Sequence, residues 1–184
     1  MSVIVVMCSY SSERSSENNN HDTKNNNANH EDCIFCQIVA GKSPVHKIWE
    51  DDEHLAFLSI YPNTLGASVV IPKKHFQSYA FHMPDEELAK LTIKAGIVGR
   101  LLDATFDDVA RTALIYEGFG INHVHAKLFP LHYTNQENWT PIHTDYNKYF
   151  EKYEGYVSSH EYHGENPDLA ALAERIRNAA RKIS

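Results

Sequence analysis

The sequence predicts an α+β fold: an antiparallel five-stranded sheet with one long amphipathic helix, a short N-terminal helix and a C-terminal helix. Three observations lead there. Five short strand-like segments are punctuated by an acidic turn, prolines and glycines. They cluster on both sides of a single stretch whose apolar residues recur at spacings of three and four. The last of them alternates with period two and has a uniformly apolar reverse face.

The elements follow in chain order. Met1–Tyr10 is mildly apolar but lacks a basic start and a small-residue cleavage site, so it does not read as a signal peptide. Ser11–Asp32 is rich in serine and asparagine and almost free of apolar residues, which predicts a disordered tail over 1–32. "CIFCQIVAG" carries Ile34, Phe35, Ile38 and Val39 before Gly41, a short helix with a glycine stop. "VHKIWEDDEHLAFLSI" predicts two strands around the acidic turn Glu50–Glu53, and "ASVVIP" a third strand closed by Pro72. In "MPDEELAKLTIKAGIVGRLLDATF", Pro84 and the acids Asp85, Glu86 and Glu87 suit a first helical turn. Leu88, Leu91, Ala95, Val98 and Leu102 then mark its buried face. "RTALIYEGFG" predicts a fourth strand ending in glycines, and "HVHAKLFPL" a fifth. Residues 33–140 form the predicted domain, and 141–184 an extension packing on it through a helix from Asp168 to about Lys182.

Composition narrows the function. A chain of 184 residues with 42% hydrophobic and 22% charged residues can build one globular core. A net charge of -7 argues against a nucleic-acid partner, while a local basic site for a small phosphorylated ligand remains compatible with it. No apolar run approaches the roughly 20 residues of a membrane span, so no membrane partner is expected. Three cysteines, two of them as Cys33-x-x-Cys36, do not make a secreted disulfide framework. In a reducing, cytoplasmic setting the pair points to metal or redox chemistry. Cys8 lies in the tail, and His46, His54, His82, His132 and His143 are expected at the surface.

The chemistry concentrates in "EGFGINHVHAKLFPLH", Glu117–His132. In a strand, His123, His125, Lys127 and Phe129 share one face, while Val124, Ala126 and Leu128 share the other. The polar face thus gathers two imidazoles and an ammonium at about 7 Å spacing. Imidazole is a nucleophile and proton carrier near neutral pH, and a lysine beside it offers positive charge to a phosphate or leaving group. Gly118 and Gly120 let the backbone turn and present N–H groups. The competing reading is the solvated outer face of an edge strand, with histidines there by chance.

Several blocks in this order resemble the histidine triad (HIT) superfamily of nucleotide hydrolases and transferases: "CIFCQIVAGKSPVHKIWEDDEHLAFLSIYP", "LGASVVIPKKHF", "MPDEELAKL" and "HVHAKLFP". The resemblance spans roughly Cys33–His132 and implies a HIT-like fold. It also implies a nucleophile at the middle triad position, here His125, that attacks the α-phosphate of a nucleotide through a nucleotidyl-histidine. His123 becomes the supporting first histidine. Phe35, Ile38 and Ile60 match positions lining the purine and ribose pocket, and a homodimer is the implied assembly. In members with the cysteine pair, zinc is bound by two cysteines and two histidines, here Cys33, Cys36, His75 and His123.

Three positions depart from that pattern. Lys127 replaces the usual third histidine; it can neutralise a leaving group but shuttles protons less readily. Ser59 stands where an aspartate commonly holds the ribose hydroxyls. The phosphate loop is shortened to "EGFGIN", where Gly120 and Asn122 remain to contact a phosphate. The leading expectation is a hydrolase or transferase of dinucleoside polyphosphates or nucleotide phosphoramidates. The alternatives are a non-catalytic nucleotide-binding protein on the same fold and a zinc-stabilised interaction module.

Overall fold

The computed structural model describes residues 32–141, 149–155, 157 and 168–183. The predicted tail, apart from Asp32, and His143 lie outside these residues. Three helices, α1 (Ile34–Val39), α2 (Asp85–Thr105) and α3 (Leu169–Ile183), accompany five strands: β1 (Lys47–Glu50), β2 (His54–Leu58), β3 (Ser68–Pro72), β4 (Thr112–Ile115) and β5 (Ala126–Pro130). The strands form one antiparallel sheet in the order β1-β2-β3-β5-β4. This is the α+β arrangement that the sequence predicts.

Local chemistry sets the element ends. Gly41, at φ 70°, reverses the chain after α1; its N–H donates to the Ile38 carbonyl and the Lys42 N–H to that of Gln37. At the β1–β2 turn, the Asp51 carboxylate accepts the N–H groups of Glu53 and His54 at 3.0 and 2.7 Å. α2 begins after Pro84 with three acids in its first turn. Asp168 caps α3, its Oδ1 accepting from Ala170 and Ala171.

The sheet has two unlike faces. On one, Ala56, Leu58, Val70, Val124, Ala126 and Leu128 pack with Leu91, Ala95, Val98 and Leu102 of α2. Leu169, Leu172, Ala173 and Ile176 of α3 join the same cluster. A leucine fully buried there gains about 1.5–3 kcal/mol over an exposed one. On the other face Leu55, Phe57, Val69 and Ile71 meet the short α1 through Phe35, with Ile38 and Val39 of that helix and the loop residues Val45 and Ile121 packed around them.

The strands around the histidines are shorter than predicted. β4 stops at Ile115 instead of running into the glycines, and β5 starts at Ala126 instead of His123. Continued past Val70↔Ala126, the β3–β5 register would bring Val124 opposite Pro72, which has no N–H to offer the ladder. Val124 N–H donates to the Phe76 carbonyl instead. The expected alternation survives the loss of ladder, because Val124 still faces α2 and the two histidines face Phe35. β5 lies between β3 and β4, and His123, His125 and Lys127 are 0%, 3% and 5% exposed. The solvated edge-strand alternative is thereby excluded.

Candidate functional site

Cys33, Cys36, His75 and His123 converge at the end of the sheet covered by α1. One donor atom from each lies within 4.8 Å of all the others. Cys36 Sγ is 3.3 Å from His75 Nδ1 and 3.6 Å from His123 Nδ1, and Cys33 Sγ is 3.5 Å from His123 Nδ1. The donor set fits a tetrahedral cation well, since arms of about 2.3 Å to sulfur and 2.0–2.1 Å to nitrogen span an S···N edge of about 3.6 Å. His123 is oriented from behind: its Nε2 lies 2.9 Å from the Pro72 carbonyl, which makes Nε2 the N–H and turns the Nδ1 lone pair toward the sulfurs. Burial first, and then the neighbouring Cys33, push the Cys36 thiol up to about 11.

His125 sits beside this cluster, edge-on to Phe35 at 5.3 Å between ring centres. Its Nδ1 lies 2.8 Å from the carbonyl of His123. A carbonyl only accepts, so Nδ1 carries the proton and Nε2 the lone pair. His125 lines a cavity of about 150 Å³ together with Phe35, Ser59, Tyr61 and Lys127. The Ser59 hydroxyl accepts the Tyr61 N–H at 3.2 Å. Phe129 separates this cavity from a larger one of about 770 Å³ that is lined by Ile115, Pro130, His132 and Trp139.

Not every predicted pocket residue arrives. Phe35 and Ser59 line the cavity, whereas Ile38 packs in the apolar cluster around Phe35. Ile60 is 54% exposed and its place on the wall goes to Tyr61. Gly120 and Asn122 are exposed and do not line it. The Asn122 side-chain oxygen accepts the Ser78 N–H at 3.1 Å, tying the shortened loop to the segment after His75. Gly118 makes that approach feasible: it adopts φ 72°, and a Cβ there would stand 2.6 Å from the Ser78 carbonyl oxygen.

Glu117 has no role in the sequence reading and is central to the structure. Its Oε2 lies 2.5 Å from Lys127 Nζ, and the two side chains are 5% and 6% exposed. The lysine therefore does not present an unbalanced positive charge. Ile115 pairs with Lys127 across the sheet, and Glu117 follows Ile115 by two residues, on the same face. A buried lysine needs a counter-charge, which is the signal that would have found it.

Two other histidines correct the expected surface positions. His54 is 1% exposed. Neither of its ring nitrogens has a hydrogen-bond partner, and Asp51 approaches Nδ1 only to 3.5 Å. Burial lowers its pKa, opposed by the charges of Asp51 and Glu53. His132 bridges the Asp108 carboxylate through Nδ1 and the Leu65 carbonyl through Nε2, at 3.0 and 2.9 Å. His82 is exposed as expected, and His46 is half-buried.

Comparison with known proteins agrees with this architecture. A HIT domain matches residues 40–133. An uncharacterized HIT-like protein of Methanocaldococcus jannaschii is 35% identical over 104 residues, 53% of this chain and 78% of that protein. An adenylylsulfatase of Arabidopsis thaliana, HINT3, is 29% identical over 103 residues, 54% of this chain and 52% of that protein. Among solved structures, a zinc-bound histidine triad family protein from Mycobacterium smegmatis superposes with a TM-score of 0.59 at 22% identity, covering 83% of this chain and 96% of that one. With the domain match taking in half of its length and the fold in agreement, this chain belongs to the HIT domain family.

Proposed function

We propose that the chain is a hydrolase or transferase of nucleoside phosphates in which His125 attacks the α-phosphate. The observation that carries this reading is the bond from His125 Nδ1–H to the His123 carbonyl, which fixes the tautomer with the lone pair on Nε2. Attack by Nε2 on phosphorus forms a nucleotidyl-histidine and expels the leaving group; water then releases the nucleoside monophosphate. Phe35 and Ser59 line the space beside the attacking ring. A cavity of about 150 Å³ is smaller than the roughly 300 Å³ at which ligand pockets begin, so it accepts only part of a nucleotide. The similarity to an adenylylsulfatase supports chemistry at an adenylyl phosphate.

The same reading assigns zinc to Cys33, Cys36, His75 and His123. A closed set of two sulfurs and two imidazoles is the structural kind, and zinc there would pin α1 and the His123 backbone whose carbonyl orients His125. A reducing cytoplasmic setting keeps the cysteine pair available for it.

One observation favours a second reading, a nucleotide-binding protein without turnover: Glu117 neutralises Lys127. The two readings part in a turnover assay on a panel of adenylylated compounds, run beside nucleotide binding. We expect wild-type turnover, and His125→Ala to lose it by at least about 10³-fold while binding stays within a few-fold, since the nucleophile goes and the apolar walls remain. Wild-type binding without turnover would establish the second reading; near wild-type rates in His125→Ala would overturn the first.

A further inference from the structure

Among the residues lining the His125 cavity, Lys127 is the one lysine or arginine. The acid that neutralises it, Glu117, lies in the strand-end segment just ahead of the glycine turn. Both charged groups are about nineteen-twentieths buried, so water screens neither from the cavity. The wall therefore sums to zero net charge where a lone lysine would make it cationic. A substrate that sheds a polyphosphate must hold an already anionic group beside this wall, and develop one more negative charge on it, without a net countercharge.

We propose that Glu117 is a specificity-determining residue: by neutralising Lys127 it matches the site to nucleoside monophosphate derivatives whose leaving group departs uncharged, and against those that release a polyanion. This rests on the reading of His125 as nucleophile. In the transfer step the Nε2 lone pair of His125 forms the bond to phosphorus. The bond from phosphorus to the departing atom breaks, and its electron pair leaves with that atom. A phosphoramidate nitrogen protonated from solvent departs as a neutral amine. A bridging oxygen departs carrying a further negative charge on an already anionic polyphosphate. Lys127 stays paired with Glu117 in both cases, and solvent supplies the proton.

The test compares kcat/KM for adenosine 5′-phosphoramidate and diadenosine tetraphosphate, which share the adenylyl group and differ in what leaves. Wild type should prefer the phosphoramidate. Glu117→Gln unmasks Lys127 and should move the ratio toward the polyphosphate by about tenfold or more, the scale of one uncompensated charge on the wall of the same low-dielectric cavity. Lys127→Met, which leaves Glu117 alone, should move it the other way. The double variant restores neutrality and should return the ratio to near the wild-type value, even where one single variant fails to fold. A ratio unchanged in the single variants that fold, or a double variant that tracks one of them, overturns the role of Glu117 alone. Failure of wild type to turn over either compound overturns the nucleophile reading, and this proposal with it.

Discussion

The two faces of the sheet solve opposite problems. The face under α2 and α3 is closed by apolar packing, and its one buried imidazole among the described residues, His54, has ring nitrogens that find no hydrogen-bond partner. The face toward α1 is covered by six helical residues and concentrates its polar groups, and those are partnered. His123 bonds to Pro72, His125 to His123, and Lys127 to Glu117. The face that packs most thoroughly can tolerate one unsatisfied ring. The face that leaves a cavity holds each imidazole and charge in a set orientation through these partners, because an unpaired polar group there would be costly.

This contrast is sharpest where the open face would lose the cross-link that zinc, as proposed, would supply. Cys36→Ser should take the metal content from about one zinc per chain, as a single four-donor site requires, to near zero. Loss of a structural metal belongs among the largest single-substitution effects, more than about 4 kcal/mol. Metal analysis of protein purified without chelator, together with thermal unfolding, checks both. A metal-free wild type with unchanged stability in the variant would remove the metal site from the contrast and leave the cluster as a thiol–imidazole network.

Next in size is the buried pair. Lys127→Met strands the Glu117 carboxylate in a site 5% exposed, and breaking such a pair from one side costs roughly 3–5 kcal/mol. Adding Glu117→Gln should recover most of that loss, because the charge without a partner is then gone. Denaturant unfolding of the two variants makes the comparison. A single variant as stable as wild type would mean that the pair is solvated rather than structural, and the two faces would differ less than the burial implies.

The smallest effect concerns the exception on the helix-covered face. The pKa of His54 is lowered by burial, so the unfolded chain binds a proton more readily than the folded one. Stability from this group is therefore fully present above the ordinary histidine value of about 6.5 and is lost as pH falls below it. The groups facing His54, Asp51, Glu53 and Lys94, pull in both directions, which keeps the effect small. His54→Leu should flatten the melting temperature between pH 7 and 5 relative to wild type. An equal slope in both proteins would show that other groups set the acid response.

Much of this was legible in the sequence, for identifiable reasons. α2 and the apolar side of β5 follow from local periodicity, and Leu91, Ala95, Val98, Val124 and Ala126 are buried where the spacing places them. The four metal-type donors and His125 followed from the blocks that resemble the family, and the structure brings those donors together. Contacts between distant segments were not legible. Glu117 meets Lys127 because β4 and β5 pair, and the start of β5 is set by Pro72 on β3 and by the Phe76 carbonyl. Ile60 was expected on the pocket wall, but the chain turns after Ser59 and offers Tyr61 instead. His54 read as a surface residue by default, because no constellation of functional residues in the sequence includes it, yet strand pairing with Pro72 carries it into the interior.

The central claim is that His125 becomes covalently nucleotidylated, and trapping that species tests it most directly. Protein mixed with an adenylylated substrate and quenched within the first turnover should gain the mass of one adenylyl group. Peptide mapping should place that group on His125, and the adduct should be missing from His125→Ala. Turnover with no adduct at any quench time, or an adduct on another residue that survives in His125→Ala, would contradict the assignment.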